Sequence, residues 1–460
     1  MTGDPVRWLW AAGAVVLWLI VIALVVVSTR RARRQEADRA SALLGDGGAE
    51  ATLVAFASQT GFGEELAMMT ADALSRAGIG VRVVSFADLD IAMLQAARRA
   101  LFVVATTGEG DPPDSASRML RQVLGSDAAL PDLSYGLLAL GDRSYQDFCG
   151  FAHVVDGWLR RAGATPLFDA VEVDDADPAA IRHWQHQLNQ ITGSAAAPDW
   201  SPPAYDRWRL VERRHLNPGS PGGEAFHLAL EPIDPAAAWS AGDIAEVGVP
   251  AADDQPRPGA REYSIASLPA DGRLELLVRV MRHPDGTPGL ASGWLTGAAM
   301  GAAAVGDEVA LRIRVNRGFH GPSPDTPMIL IGNGTGLAGL RAHIRARAAG
   351  NGGTWLMFGE RTAAHDAFHD DALQAALASG ALTRLDRAFS RDAGDGRYVQ
   401  ALIAEQAAEV AAWVGRGAAI YVCGSLDGMA SGVHAALEAA LGPDRLVALS
   451  EAGRYRRDVY

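Results

Sequence analysis

The spacing of apolar residues changes along the sequence and divides most of the chain into three stretches. In the first, short apolar runs alternate with helical patterns, which predicts a parallel sheet of about five strands with helices on both faces. Between residues 226 and 315, apolar residues alternate in short runs between turns, which predicts a small antiparallel barrel. In the last third, strand and helix patterns alternate again. The strands expected in the first stretch lie at 52–57, 81–84, 101–105 and 136–140, and its helices at 64–77, 115–124 and 151–163.

An apolar segment precedes these three stretches. Residues 8–27 carry no charge and, at ~1.5 Å per residue, are long enough for a helix to cross the ~30 Å hydrocarbon layer. Four arginines follow between residues 30 and 34 and only Arg7 precedes, so the positive-inside rule places the N-terminus outside and the rest in the cytoplasm. We therefore expect a single-pass membrane protein with an anchor over 1–34 and a tether over 35–51. A cleaved signal peptide is disfavoured because no basic n-region or A-x-A-like site is evident.

Composition limits the class of protein. The chain has 460 residues, and at ~150 residues per domain this length suggests about three domains, with a proline-rich linker over 194–207. A formal net charge of −13 argues against a nucleic-acid partner and is compatible with basic protein partners. All 41 basic residues are arginine, so lysine chemistry is excluded. Cys149 and Cys423 lie far apart in the sequence and indicate neither a disulfide framework nor a metal site.

Three loops follow strands of the first stretch and carry glycine and polar residues. They are SQTGFG over 58–63, TTGEGDPPD over 106–114 and GDRSYQDFCG over 141–150. A hydroxyl-rich loop between a strand and a helix can hold a phosphate with backbone N–H groups, although this one lacks the Gly-Lys-Ser/Thr of a P-loop. Because ligands of doubly wound sheets bind at the carboxyl ends of the strands, the three loops together predict one phosphate-bearing ligand.

With these loops, the segment 52–193 resembles flavodoxin and, more closely, the FMN domain of diflavin reductases. The resemblance implies a flavodoxin-like α/β domain that binds FMN, with Tyr145 stacked on the isoalloxazine ring. The family pattern has a second stacking aromatic where this chain has Thr107. The other residues that the resemblance assigns to FMN are Ser58, Gln59, Thr60, Gly61, Thr106, Gly108, Glu109, Leu140, Gly141, Phe148 and Cys149.

Acidic residues surround these loops. Two interpretations stay open, because a charge cluster is often only a solvated surface but also suits the docking of a basic electron acceptor. The acids of this expected rim are Glu109, Asp111, Asp114, Glu172, Asp174, Asp175 and Asp177.

The second stretch contains two motifs that resemble the FAD site of the ferredoxin–NADP reductase superfamily. The resemblance implies an FAD-binding barrel over 208–325, with Arg261 on the pyrophosphate, Tyr263 against the flavin and Ser264 near its N5 atom. The helix start at Gly289, Ala291 and Ser292 would supply backbone N–H groups to the pyrophosphate. Diflavin reductases usually carry a helical connecting insert before the first motif, and this chain lacks it.

The last third resembles the nicotinamide domain of the same superfamily and implies an NADPH-binding domain over 326–460. The family pattern has Pro in place of Asn333 and Gly339, Asp in place of Ser425, and Lys in place of Gly396, for which the neighbouring Arg397 is a candidate substitute. The motifs are the loop Gly334, Thr335 and Gly336, the segment Ser390, Arg391 and Tyr398 for the adenosine 2′-phosphate, the strand end at Cys423, and the terminal Asp458 and Tyr460.

The assembled resemblance implies an NADPH-dependent diflavin reductase that passes electrons from NADPH to FAD, then to FMN and on to an acceptor at the membrane. Ser264, Cys423 and Asp458 would line the hydride-transfer point, and Tyr460 would cover the FAD ring. The acceptor expected is a haem protein, a ferric chelate reductase system or a sulfite reductase component. Two alternatives stay open: a sulfite reductase flavoprotein subunit with an accessory anchor, and a non-catalytic flavin-binding sensor or scaffold.

Overall fold

The structure is a computed structural model, and it describes residues 51–193, 200, 204–233, 238–249 and 261–459. The predicted membrane span over 8–27, nearly all of the predicted tether, most of the predicted linker and Tyr460 lie outside the described residues.

The expected membrane localisation is contradicted. Within the part of the chain that the structure describes, no helix is both long enough and apolar enough to cross a bilayer. The prediction of a single-pass membrane protein is therefore wrong. The prediction relied on the length of an apolar run. A run of sufficient length permits a membrane-spanning helix but does not establish one.

The N-terminal unit, residues 52–192, is built on a parallel sheet that has six strands within the described residues, in the order β2-β1-β3-β4-β5 with β6 also paired to β4. Short β5 and β6 pair with the two ends of the same edge of β4 and so divide one strand position between them. The strands are β1 Thr52–Ala57, β2 Val81–Ser85, β3 Arg99–Ala105, β4 Ser134–Gly141, β5 Thr165–Pro166 and β6 Val171–Asp174. The α-helices are α1 Phe62–Arg76, α2 Ile91–Ala96, α3 Ser117–Met119, α4 Gly150–Arg161 and α5 Pro178–Thr192.

Both faces of this sheet are buried. Along β1, Leu53 and Ala55 pack into the core on one face, and Val54 and Phe56 pack into the core on the other. Successive strand residues point to opposite faces, so helices on both sides require the continuous apolar run from which the strand was predicted. The parallel α/β fold expected for this segment is confirmed.

The middle unit, residues 206–319, is built on an antiparallel sheet with strand order β10-β9-β12-β7-β8-β11. Its edge strands approach each other, because Ala266 N–H, just after β10, donates to the Glu275 carbonyl of β11 at 2.8 Å. The predicted antiparallel sheet is confirmed, whereas its closure into a barrel stays a prediction. The elements are β7 Asp206–His215, β8 Ala225–Pro232, β9 Ile244–Gly248, β10 Arg261–Ser264, β11 Leu274–Arg279, β12 Glu308–Arg314 and α6 Leu290–Thr296.

One strand of the middle unit was missed. β7 begins at Asp206, inside the predicted linker, and its sequence DRWRLVERRH is dominated by charge. Only Trp208 and Leu210 of this strand reach the core, since their neighbours face the solvent or the rim of the sheet. A strand with so few buried positions carries a weak alternation signal.

The C-terminal unit, residues 328–459, has a parallel sheet with strand order β15-β14-β13-β16-β17. The order reverses beside β13, and this switch point is where doubly wound sheets bind nucleotides. The strands are β13 Met328–Asn333, β14 Thr354–Glu360, β15 Arg384–Phe389, β16 Ala419–Gly424 and β17 Tyr455–Val459. The α-helices are α7 Leu337–Ala346, α8 Ala363–Asp366, α9 Asp370–Ser379, α10 Val399–Glu405, α11 Ala407–Gly415, α12 Ser431–Leu441 and α13 Pro443–Glu451.

Candidate functional sites

The first loop of the N-terminal unit gathers backbone N–H groups at the start of α1. Gly61 and Gly63 donate to the Ser58 hydroxyl oxygen at 3.0 and 3.2 Å. Gly61 has a φ of 89°, and a Cβ at this position would lie 2.5 Å from the Val315 carbonyl oxygen of the middle unit. Two N–H groups that converge on one oxygen at a helix N-terminus suit a phosphate group.

The second and third loops are joined to each other. Glu109 accepts a hydrogen bond from the Gln146 backbone N–H at 2.9 Å, and Thr106 N–H donates to the Leu140 carbonyl at 2.9 Å. The Thr106 hydroxyl is buried and has no hydrogen-bond partner among the described atoms. An orphaned buried hydroxyl at the carboxyl end of a strand fits a site completed by a bound group. The loops that were predicted to hold FMN therefore lie together and present suitable donors.

The aromatic residues of the third loop have different surroundings. Tyr145 is 37% exposed, whereas Phe148 lies beneath the Arg143 guanidinium, 4.2 Å from the ring centroid. Cys149 is fully buried at the start of α4, and burial raises the pKa of its thiol to about 12. Tyr145 is thus the accessible aromatic of this loop, and Cys149 packs as a small apolar residue.

The residues predicted for FAD are divided between two positions in the middle unit. Arg261 is exposed and forms an ion pair with Asp175 of the N-terminal unit at 3.6 Å, while burial raises the pKa of Tyr263. At the start of α6, the Ser292 hydroxyl accepts a hydrogen bond from the Met281 N–H at 3.1 Å. Gly289 and Ala291 lie just before Ser292 in the same helix start. A guanidinium and a helix start are the donors that a pyrophosphate requires, so these residues fit the group expected.

Ser264, Cys423 and Asp458 come together as predicted, although they belong to three different strands. The Ser264 hydroxyl donates to Asp458 Oδ2 at 2.7 Å, and Cys423 Sγ lies 3.6 Å from the same oxygen. Parallel pairing of β16 with β17 places Cys423 directly beside Asp458. Asp458 is only 5% exposed, and burial raises the pKa values of both its carboxyl and the Cys423 thiol. Their polar atoms form one compact cluster at the junction of the middle and C-terminal units.

A cavity of about 570 Å³ lies at the switch point of the C-terminal sheet. Gly336 does not line it, because this glycine is packed against β16, where a Cβ would lie 2.1 Å from the Cys423 carbonyl oxygen. The other residues predicted for the coenzyme all line the cavity: Gly334, Thr335, Ser390, Arg391 and Tyr398.

Two departures from the family pattern contact each other in this cavity. Asn333 Oδ1 accepts a hydrogen bond from the Ser425 N–H at 3.0 Å, and both residues are part of the lining. The amide thereby ties the end of β13 to the loop after β16. The loops that flank the switch point are thus joined by the Asn333 side chain.

Three charged lining residues were missed by the sequence argument. Arg279 of β11 forms an ion pair with Glu360, and Arg361 follows directly after β14. Burial raises the pKa of Glu360. The position of Glu360 and Arg361 at the end of β14 could have indicated them. Because β14 lies beside β13, the end of β14 reaches the switch point.

The N-terminal unit contacts the other two through its first and second loops. Arg457 Nε donates to Asp114 Oδ1 at 2.8 Å, the Gln59 side-chain amide donates to the Arg457 carbonyl, and Gln59 Oε1 accepts the Asp114 N–H at 2.9 Å. Asp114 and Asp175 of the expected acidic rim are therefore engaged with the rest of the chain, as Arg261 pairs with Asp175. The part of the rim available to another protein is smaller than predicted.

The sequence of the chain is similar to those of known proteins. Residues 54–184 match the flavodoxin family, and residues 330–435 match the oxidoreductase NAD-binding domain family. The chain is 28% identical to the sulfite reductase [NADPH] flavoprotein alpha-component of Vibrio cholerae serotype O1, over 88% of this chain and 87% of that protein. The protein of that name from Thiocapsa roseopersicina is 29% identical over 86% of each chain, and the one from Yersinia enterocolitica is 28% identical over 88% and 89%.

A flavodoxin unit followed by a nicotinamide-binding oxidoreductase unit defines an NADPH-dependent flavoprotein oxidoreductase, whose cofactors are FMN, FAD and NADPH. The similarity to these relatives runs through both units and across the middle sheet. Together, the two domain matches and these relatives support the resemblance to the diflavin reductase family.

Proposed function

We propose that this diflavin reductase delivers electrons from NADPH, through FAD and then FMN, to the haem component of a sulfite reductase. One observation carries the electron path. Adjacent residues of β17 join all three units, because Arg457 binds Asp114 of the N-terminal unit and Asp458 accepts the Ser264 hydrogen bond from the middle unit. Successive strand residues point to opposite faces, so β17 stands between the flavodoxin loops and the cluster around Asp458.

The flavins, when bound, supply the conversion of an electron pair from the coenzyme into single electrons. The chain's own residues position and enclose the reactants. Asp458 holds the Ser264 hydroxyl and the Cys423 thiol at one carboxylate oxygen, and both Asp458 and Cys423 are buried. A preorganised polar cluster in a dry site stabilises charge as it moves, without reorganisation at the moment of transfer.

The proposed acceptor site is the part of the acidic rim that is not engaged with the other two units. Glu109 and Asp111 are exposed in the second loop, and Glu172, which pairs with His153 at 2.7 Å, is exposed on β6. Complementary charge would steer a basic protein surface to this edge. The names of the relatives point to sulfite reductase as the acceptor system.

The test is a flavin determination and an anaerobic titration of the full chain. We expect one FMN and one FAD per chain, both reduced by NADPH. Added sulfite reductase haem protein should then be reduced faster than an equal amount of cytochrome c. Bound flavins that NADPH does not reduce would contradict the proposal and favour a non-catalytic flavin-binding protein. Reduced flavins that pass electrons to cytochrome c but not to the haem protein would overturn the acceptor alone.

A further inference from the structure

The coenzyme cavity carries an excess of positive charge. Its charged lining residues are Arg279, Glu360, Arg361 and Arg391. Arg279 is neutralised by its ion pair with Glu360, whereas Arg361 and Arg391 form no ion pair within the described part of the chain. Two unpaired guanidinium groups in one cavity suit a doubly charged phosphate.

The cation that the sequence suggested is engaged elsewhere. Arg397, the candidate substitute for the family's lysine, donates to Glu405 at 2.6 Å and is also paired with Asp395. It is not among the residues that line the cavity. To bind a phosphate there, Arg397 would have to leave two carboxylates.

Arg361 is held beside the residues assigned to the 2′-phosphate. The Ser390 N–H donates to the Glu360 carbonyl at 2.8 Å, and the Arg391 N–H donates to the Arg361 carbonyl at 2.7 Å. These bonds join the ends of β14 and β15. The backbone therefore places Arg361, Ser390 and Arg391 along one side of the cavity.

The stem of the Arg361 side chain is also supported from the middle unit. A Cβ added at Gly222 would lie 2.6 Å from Arg361 Cδ, so the two are in close contact. The loop that carries Gly222 is fastened by the buried Asp366, whose carboxylate accepts hydrogen bonds from Asn217 and Ser220 at 3.0 Å each. Thr362, next to Arg361, donates to the same carboxylate at 2.8 Å.

We propose that Arg361, and not Arg397, is the second cation beside Arg391 for the adenosine 2′-phosphate of NADPH. The assignment rests on the proposed function, which makes NADPH the electron donor, and takes this cavity as the place where NADPH binds. It makes Arg361 a residue that discriminates NADPH from NADH, because it faces the one group that the two coenzymes do not share.

The test is calorimetric titration of the full chain with adenosine 2′,5′-bisphosphate, and in parallel with adenosine 5′-monophosphate. We expect Arg361→Gln to weaken binding of the bisphosphate about tenfold or more, as for loss of a charge-assisted hydrogen bond, and to change monophosphate binding little. Gly222→Ala should weaken bisphosphate binding as well, because it displaces the stem without removing the charge. Arg397→Gln should leave both affinities within about twofold of the unaltered chain. Retained flavin content checks that each variant is folded.

The outcomes separate this inference from the function on which it rests. If Arg391→Gln weakens bisphosphate binding and Arg361→Gln does not, the inference is overturned and the coenzyme site stands. A large loss in Arg397→Gln with none in Arg361→Gln would restore the assignment made from the sequence. If Arg391→Gln, Arg361→Gln and Gly222→Ala all leave bisphosphate binding unchanged, the cavity is not the coenzyme site and both proposals fail.

Discussion

The two interfaces between the units of this protein are built differently. The middle and C-terminal units share an apolar core, in which Ala266 and Leu277 of one pack with Leu330 and Leu356 of the other. The N-terminal unit is instead held by charge. Its Glu65 pairs with Arg312 at 2.7 Å, Glu64 with Arg317, and Asp114 with Arg457.

The difference indicates which contact is permanent. Apolar burial is not screened by salt and is lost only with unfolding, whereas exposed and half-buried ion pairs weaken as ionic strength rises. The middle and C-terminal units therefore form one lasting body around Asp458. We therefore expect the N-terminal unit to be the part that can separate from that body, and its separation would free its loops for an acceptor.

Acid should break the apolar interface, and this is the largest effect expected. His227 and His343 are buried there, and burial lowers their pKa values to about 4 and about 3. An unfolded histidine binds a proton near pH 6.5, so the stability from each neutral histidine is present above that pH. It is lost as the pH falls toward the folded pKa, at about 1.4 kcal/mol per pH unit for each group.

The measurement is urea unfolding of the full chain between pH 7 and pH 5. Replacing His343 by Phe should roughly halve the pH dependence contributed by the two histidines. An unfolding free energy that does not change across this range would contradict the burial of neutral histidines.

Leu277→Ala should destabilise the same interface by about 3 kcal/mol, because it removes a buried side chain that both units contact. The matched control is Leu138→Ala, a fully buried leucine in the core of the N-terminal unit. We expect Leu277→Ala to lower the urea concentration at which FAD is released. Leu138→Ala should lower the urea concentration at which FMN is released. Equal loss of both flavins in both variants would mean that the three units unfold as one.

Asp458→Ala should slow reduction by NADPH about a hundredfold, because Ser264 and Cys423 lose the carboxylate that orients them. Stopped-flow mixing with NADPH measures this step directly. Electron delivery to cytochrome c from protein already reduced by dithionite should be unchanged. If delivery from the reduced protein falls as much as reduction by NADPH, Asp458 acts on the whole structure and not on the transfer point.

Arg312→Gln should slow electron passage from FAD to FMN about tenfold while leaving NADPH oxidation by FAD intact. Arg312 is 14% exposed on its side chain and binds Glu65 and Glu246 at once, so its loss removes the ion pair between the two units and one of the partners of Glu246. Arg416→Gln is the matched control, since Arg416 lies over Trp413 at the far end of α11. A similar rate change in both variants would show that the effect does not come from docking.

Much of the site could be predicted because its residues follow strands. Parallel strands end at one edge, so loops after 57, 105 and 141 had to meet, and the same geometry places Cys423 beside Asp458. Local sequence carries this information because each strand is a continuous apolar run that both faces of a sheet bury.

The remaining features depend on contacts that local sequence does not encode. Arg457 and Asp114 pair across almost the whole chain, and either could equally have been a solvated surface charge. Arg397 was considered because it is next to Gly396 in the sequence, whereas Arg361, which the sequence did not single out, reaches the cavity through a neighbouring strand. Charge near a motif is a weaker guide than the order of the strands.

The central claim is that the N-terminal unit docks reversibly on the other two units. Its most direct test is the salt dependence of the two electron-transfer steps in the full chain. Stopped-flow spectra after mixing with NADPH would be followed from about 50 mM to about 1 M sodium chloride, a range over which screening shortens from more than 10 Å to about 3 Å. We predict that FAD reduction keeps its rate while subsequent FMN reduction slows several-fold. Equal slowing of both steps, or no change in either, would contradict a permanent apolar interface combined with a releasable charged one.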